Sequence, residues 1–121
     1  MGLYILSIGS NTPDRFERMD QALKWLHGEF TDVTTSDVYS TSPLSGIGGD
    51  YCNMVARVSS PLSASAIIRK AKEFEAICGR TPHSKQLGCV PMDVDVVQCD
   101  ATIIRPMEFT REYFMKGFRQ L

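Results

Sequence analysis

The sequence has no strong excess of either charge: 13 Lys and Arg against 14 Asp and Glu give a net charge of -1. That balance argues against a general nucleic-acid binder, which is normally strongly basic. A nucleotide is still open to it, since that needs only a few well-placed cations and a metal. No apolar run approaches the roughly 20 residues a transmembrane helix requires, so no membrane partner is expected. The N-terminus has no basic segment followed by an apolar stretch, so no secretory leader is expected. Leu6 stands where a myristoylation signal needs Ser or Thr. The four cysteines, Cys52, Cys78, Cys89 and Cys99, form no CxxC pair, and neither histidine lies at ligand spacing to them. Structural zinc and a disulfide framework therefore lack support, and reduced thiols in a cytoplasmic protein are the expectation. Gly9-Ser10-Asn11 has neither the Lys nor the glycine spacing of a phosphate-binding loop and reads as a turn. No repeat, linker or low-complexity segment interrupts the chain.

What is present suits one domain over residues 1–121: the hydrophobic fraction is 43%, enough for a single core. Leu3 to Ile8 reads as a buried strand. A helix is predicted from Asp14 to about Phe30, with Phe16, Met19, Ala22, Leu23 and Leu26 as its apolar stripe and Gly28 as its stop. Val33 to Ser42 reads as one strand broken by Pro43, and residues 45–50 as a flexible loop. Tyr51 to Ser59 reads as a strand with Tyr51, Asn53, Val55 and Arg57 on one face. A second helix is predicted to start at Pro61 and run to about Cys78. Its stripe is Ala64, Ile67, Ile68, Ala71, Phe74 and Ile77, and Gly79 is its stop. After a polar loop come a strand over Met92–Val97, a short extended piece at 102–104 and a short helix over about 108–118. Strand, helix, strand, strand, helix, strand is the ferredoxin-like α+β order. It predicts an antiparallel sheet with both helices on one face and the other face free for loops and ligands.

Asp93 and Asp95 are the sharpest feature. Two apart on a strand, they point to one face, about 6–7 Å apart along the backbone by strand rise. Paired like charges are costly unless a cation joins them. Magnesium takes one or two carboxylates and completes its shell with phosphate oxygens, the arrangement phosphoryl transfer needs. Read from the residues alone, a solvated strand face carrying two acids is the competing account.

The order of these pieces resembles the hydroxymethyl-dihydropterin pyrophosphokinases of the folate pathway. That family has a Gly-Arg after its second helix, a basic loop and an Arg-x-Leu-Asp-x-Asp-Ile strand. This chain has Gly79-Arg80, then Thr81 to Pro91, then Met92-Asp93-Val94-Asp95-Val96 at the same spacing. Leu6-Ser7-Ile8-Gly9-Ser10-Asn11 is similar to the family's opening Leu-Gly-Ser-Asn, and Asp14-Arg15 fits the Gly-Asp-Arg that follows. Tyr39-Ser40-Thr41-Ser42-Pro43 and Tyr51-Cys52-Asn53 match Tyr-x-Thr-x-Pro and an aromatic-x-Asn, and Glu75 matches as well.

The resemblance implies a reaction in which ATP gives its β,γ-pyrophosphoryl group to the hydroxymethyl of a reduced pterin, leaving AMP. It places two magnesium ions at Asp93 and Asp95, with Arg80 as a third catalytic residue. It places the pterin among Thr41, Pro43, Leu44, Tyr51, Asn53 and Tyr113, and ATP near Glu75, Arg80, Lys85, Arg105 and Arg111. No obligate protein partner is implied. The chain also departs from the family. Pro82, Gln86 and Val90 stand where bases are common, and Leu87 replaces a Trp that stacks on the pterin. Ile104-Arg105-Pro106 occupies the place of a Pro-His-Pro segment that touches ATP. Arg80, Lys85 and His83 are the cations left in the loop. These losses motivate a second account, a pseudoenzyme or ligand-binding module of the same fold. A third is a ferredoxin-like binding or regulatory module for RNA or a partner protein, of which RNA is disfavoured because no strand is both basic and rich in aromatics.

Overall fold

In the computed structural model, which describes residues 1–121, the first strand becomes β1 (Gly2–Ser10). It is buried from Tyr4 onward because it is central, paired antiparallel to β4 (Tyr51–Ser60) on one side and to β5 (Asp93–Cys99) on the other. Beyond β4 lie β2 (Thr31–Thr35) and β3 (Tyr39–Thr41), and beyond β5 lies β6 (Thr102–Ile103). Every pairing is antiparallel, and the order β2-β4-β1-β5-β6 is the expected ferredoxin-like sheet with an added edge strand. The helices α1 (Arg15–Glu29) and α2 (Ala64–Ile77) cover one face. There Leu6, Ile8, Met54, Val94 and Val96 pack against Met19, Leu26, Ile67 and Phe74.

Several expectations need correction. The strand predicted over 33–42 is split at Ser36. Its hydroxyl accepts the Val55 N–H at 2.9 Å and donates to the Asp37 carbonyl at 2.9 Å, a side-chain substitute for the ladder that kinks the chain. The second helix starts at Ala64, because Ser63 caps it by accepting from Ala66 N–H; Pro61 stays in the preceding turn. Gly28 lies inside α1, which ends at Glu29 with Phe30 as its extended cap. Phe16, Leu23, Ile68 and Ile77 leave the predicted stripes and are exposed, while Glu75 is buried in their place.

The far face of the sheet is only partly free. A 3-10 turn (Pro106–Thr110) and α3 (Glu112–Phe118) fold across it, and Phe114 packs on Ile5, Val55 and Val97. The half of that face nearest Asp93 remains open to the loops. No helix is long and apolar enough to cross a membrane.

Candidate active site

β5 sets the acid pair. Met92, Val94 and Val96 are buried toward the helices, and Asp93 and Asp95 stand on the opposite face with 38% and 17% of their side chains exposed. The end of α2 delivers the first cation. Gly79, at φ +98°, closes a Schellman turn: its N–H donates to Ala76 O and the Arg80 N–H to Glu75 O. Arg80 is thereby swung back over the sheet, where Nη1 donates to Asp93 Oδ1 at 2.9 Å and to Met92 O at 3.1 Å.

Behind the pair, Glu75 Oε2 accepts the Val94 N–H at 2.8 Å and the Lys72 ammonium at 3.1 Å, with Arg80 Nη1 at 3.4 Å. Val94 N–H points away from β1 with no strand beside it, so Glu75 supplies the acceptor a missing neighbour would have given. Lys72 also reaches Asp95 at 3.8 Å. The third cation comes through a bulge. The β1–β5 register slips between Leu6–Val96 and Ile5–Gln98, leaving Val97 extra, and its carbonyl accepts from both Ile104 and Arg105 N–H. Arg105 Nη1 then lies 3.9 Å from Asp95 Oδ1.

Asp95 is pushed up to about 6, first by burial and then by the charge of Asp93, with Arg105 and Lys72 pulling the other way. Burial works against the Arg80 charge, but the hydrogen bond and charge of Asp93, aided by Glu75 and Asp95, outweigh it and raise Arg80. No third carboxylate, histidine or thiol completes a metal cage with the pair. Two hard oxygen donors on one face thus keep room for ligands from outside the protein.

Asp93 also lines a cavity of about 290 Å³. Its walls include Thr41, Pro43, Leu44, Tyr51, Asn53 and Tyr113, with Ser7 and Gly9 beneath and Lys85 and Gln86 at the loop side. Asn53 is buried, and its amide orientation is set within the protein: Nδ2 donates to Thr41 Oγ1 at 2.7 Å and to Tyr39 O at 3.4 Å. Oδ1 has no protein partner and abuts Gly9, where an added Cβ would come within 3.3 Å of it. The cavity therefore holds a fixed, unmet acceptor between apolar and aromatic walls. Burial raises the Tyr51 phenol, with Asp93 next in effect, and burial together with a hydrogen bond to Glu108 raises Tyr113. Both hydroxyls stay protonated at neutral pH.

Two loops close this space, over residues 42–50 and 80–92. Asn11, read from sequence only as part of a turn, binds both. Its Nδ2 donates to Gly88 O at 2.9 Å and Gly49 O at 3.4 Å, and its Oδ1 accepts the Val90 N–H at 2.6 Å. The loops cross at Gly48 and Gly88, both at positive φ, and a Cβ on Gly48 would lie 2.1 Å from Gly88 O.

Of the residues singled out from sequence, Thr41, Pro43, Leu44, Tyr51, Asn53, Lys85, Asp93 and Tyr113 share the cavity wall. Glu75, Arg80, Asp93, Asp95 and Arg105 share the charge network. Arg111 joins neither and serves as the backbone cap of α3. Leu87 is turned outward, 74% exposed. Sequence reading missed Lys72, Asn11 and Glu108. Lys72 could have been found one helical turn before Glu75; the other two act only through tertiary contacts.

Residues 5–121 match the family described as 7,8-dihydro-6-hydroxymethylpterin-pyrophosphokinase. Proteins named 2-amino-4-hydroxy-6-hydroxymethyldihydropteridine pyrophosphokinase, from Mycobacterium bovis and from Mycobacterium tuberculosis, are 30% identical over 100 residues, or 81% of this chain. The match covers 52% of each of those proteins, so the chain spans about half the length of the curated relatives it matches.

Proposed function

The chain belongs to the 7,8-dihydro-6-hydroxymethylpterin-pyrophosphokinase family, and on that premise we propose that it transfers pyrophosphate from ATP to the hydroxymethyl group of a reduced pterin. The observation that carries the proposal is the junction of one cavity with one acid pair: Asp93 belongs to both. A flat heterocycle with N–H groups on its edge fits apolar walls and a single unmet acceptor, Asn53 Oδ1. Thr41 Oγ1, already accepting from Asn53, keeps its own proton to donate.

Asp93 and Asp95 fit magnesium in chemistry. They are two hard oxygen donors on one strand face, Asp95 is raised first by burial and then by the charge of Asp93, and nucleotide phosphates would complete the shell. When bound, the metal neutralises charge on the transferring group. The chain's own residues bind and align. Asn53, Tyr51 and Pro43 hold the ring so that its hydroxymethyl faces Asp93. Lys85 and Arg105 approach the phosphates from two sides. Glu75 holds β5 from behind by accepting the Val94 N–H. The pterin hydroxyl oxygen forms a bond to the β-phosphorus as the bond from that phosphorus to the α,β-bridging oxygen breaks. AMP departs with that oxygen and its electron pair, and the hydroxyl proton passes to solvent.

The test is AMP release from ATP and reduced hydroxymethylpterin with magnesium, comparing wild type with the Asp93→Ala/Asp95→Ala double variant. Turnover lost in the double variant is the expected result. One observation favours a second reading, a family member that binds without turnover: Arg80 is committed to Asp93, which leaves Lys85 as the free Lys or Arg of the loop. Magnesium-dependent ATP binding without AMP above background selects that reading.

A further inference from the structure

Two carboxylates are buried in this chain, Glu75 and Glu108. Glu75 is accounted for by β5. Glu108 lies in the 3-10 turn on the opposite face, and a buried carboxylate is costly unless both oxygens are partnered. Its two oxygens face different parts of the site. Oε2 accepts the Tyr113 hydroxyl at 2.5 Å, and Tyr113 lines the cavity. Oε1 lies 3.8 Å from Arg105 Nη2, while Arg105 Nη1 lies 3.9 Å from Asp95. One guanidinium thus stands between a buried carboxylate and the acid pair. Both distances exceed a hydrogen bond, so charge from two sides aims Arg105 without locking it. Half of its side chain stays exposed for an incoming anion.

We propose that Glu108 is a positioning residue that ties the cavity wall to the acid pair: it fixes the Tyr113 ring and holds the Arg105 guanidinium beside Asp95, where it meets the phosphates of a nucleotide. The role for Arg105 rests on the functional reading above. Glu108 also explains how an arginine is accommodated at this point of the chain. A guanidinium beside the single anion Asp95 would be pulled onto it and consumed, as Arg80 is on Asp93. A second carboxylate on the other side keeps it between the two.

Two measurements test this. The first needs no substrate: nitrogen-15 relaxation at Arg105 Nε in the free protein. Glu108→Gln keeps an oxygen for the Tyr113 hydroxyl and removes the charge facing Arg105. Arg105 is expected to be more ordered in wild type than in Glu108→Gln; unchanged order overturns the proposal. The second is the dissociation constant of magnesium with a non-hydrolysable ATP analogue in a double-variant cycle. Glu108→Gln and Arg105→Gln are each expected to weaken binding roughly fivefold, the scale of a partly exposed charge pair. The double variant is expected to bind no more weakly than Arg105→Gln alone, because Glu108 acts through Arg105. Additive losses overturn the proposal, since a merely structural role adds. If wild type binds no analogue while Glu108→Gln frees Arg105, the nucleotide reading fails and the positioning role stands. Should Glu108→Gln not fold, Glu108→Asp retracts the charge by one methylene and is expected to loosen Arg105 in the same sense.

Discussion

Asp95→Asn is expected to stabilise this protein while removing one of the two proposed metal ligands. Asp95 is pushed up to about 6, chiefly by burial and then by Asp93. A carboxyl raised from its ordinary value near 4 is bound more tightly to its proton in the folded chain. Below about pH 4 both states hold that proton and nothing is lost. Between about pH 4 and pH 6 the folded state alone keeps the proton, so the penalty grows across that window to about 3 kcal/mol and is constant above it. Asparagine removes the charge at nearly constant shape. It gives up the long contacts to Lys72 at 3.8 Å and Arg105 at 3.9 Å, whose pull is already part of the net value. A gain of about 2 kcal/mol at pH 7.5 is expected, or roughly 8 °C in Tm for a domain of this size. Thermal unfolding by circular dichroism at pH 7.5 and pH 4 measures it. The gain should be present at pH 7.5 and nearly absent at pH 4. A lower Tm for the variant at pH 7.5, or an equal gain at both pH values, would refute the reasoning.

Glu75→Ala leaves the Val94 N–H and two cations without their shared acceptor and is expected to cost about 3 kcal/mol in urea unfolding. Glu75→Gln, which keeps an acceptor for Val94, should recover part of that. Gly48→Ala places a methyl group against the Gly88 carbonyl and should part the two loops. Faster limited proteolysis within residues 42–50, with little change in global stability, is the expected signature. Asn53→Ala removes the unmet acceptor of the cavity; calorimetric titration with reduced hydroxymethylpterin should show affinity falling about tenfold to a hundredfold, the scale of a buried hydrogen bond.

The acid pair was legible in the sequence because a strand's period of two is rigid: Met92, Val94 and Val96 inward force Asp93 and Asp95 outward. The cations around it were less so. Arg80 stood next to a visible helix stop, but Arg105 reaches Asp95 only because Val97 bulges, and no residue type announces a bulge there. The cavity wall came from resemblance, since Thr41, Tyr51 and Asn53 look like ordinary strand residues until β3 is paired with β4. Asn11 looked like turn punctuation because its partners, Gly49, Gly88 and Val90, are far along the chain. Two of the helix errors share a cause. Phe16 and Ile77 keep the apolar spacing at helix ends, where the periodic signal continues but the packing does not.

The substitutions in the loop over residues 80–92 are consistent with this division of labour. Val90 is buried, and its backbone exchanges hydrogen bonds with Asn11 in both directions, so it anchors the loop. Leu87 faces solvent and Gln86 faces the cavity. The cations that surround the acid pair come instead from the scaffold: Lys72 from α2, Arg80 from its end and Arg105 from the segment after β6. Groups on rigid elements are placed before a ligand arrives and need little rearrangement when charge develops. Three cations against the four carboxylates Glu75, Asp93, Asp95 and Glu108 leave one negative charge unmet. That remainder is too small to draw a bare dication strongly through water. On the proposed function, a dication already neutralised by nucleotide phosphates would be held both by the carboxylates and, through its phosphates, by Arg105, so this charge balance would favour the metal–nucleotide complex over either part alone.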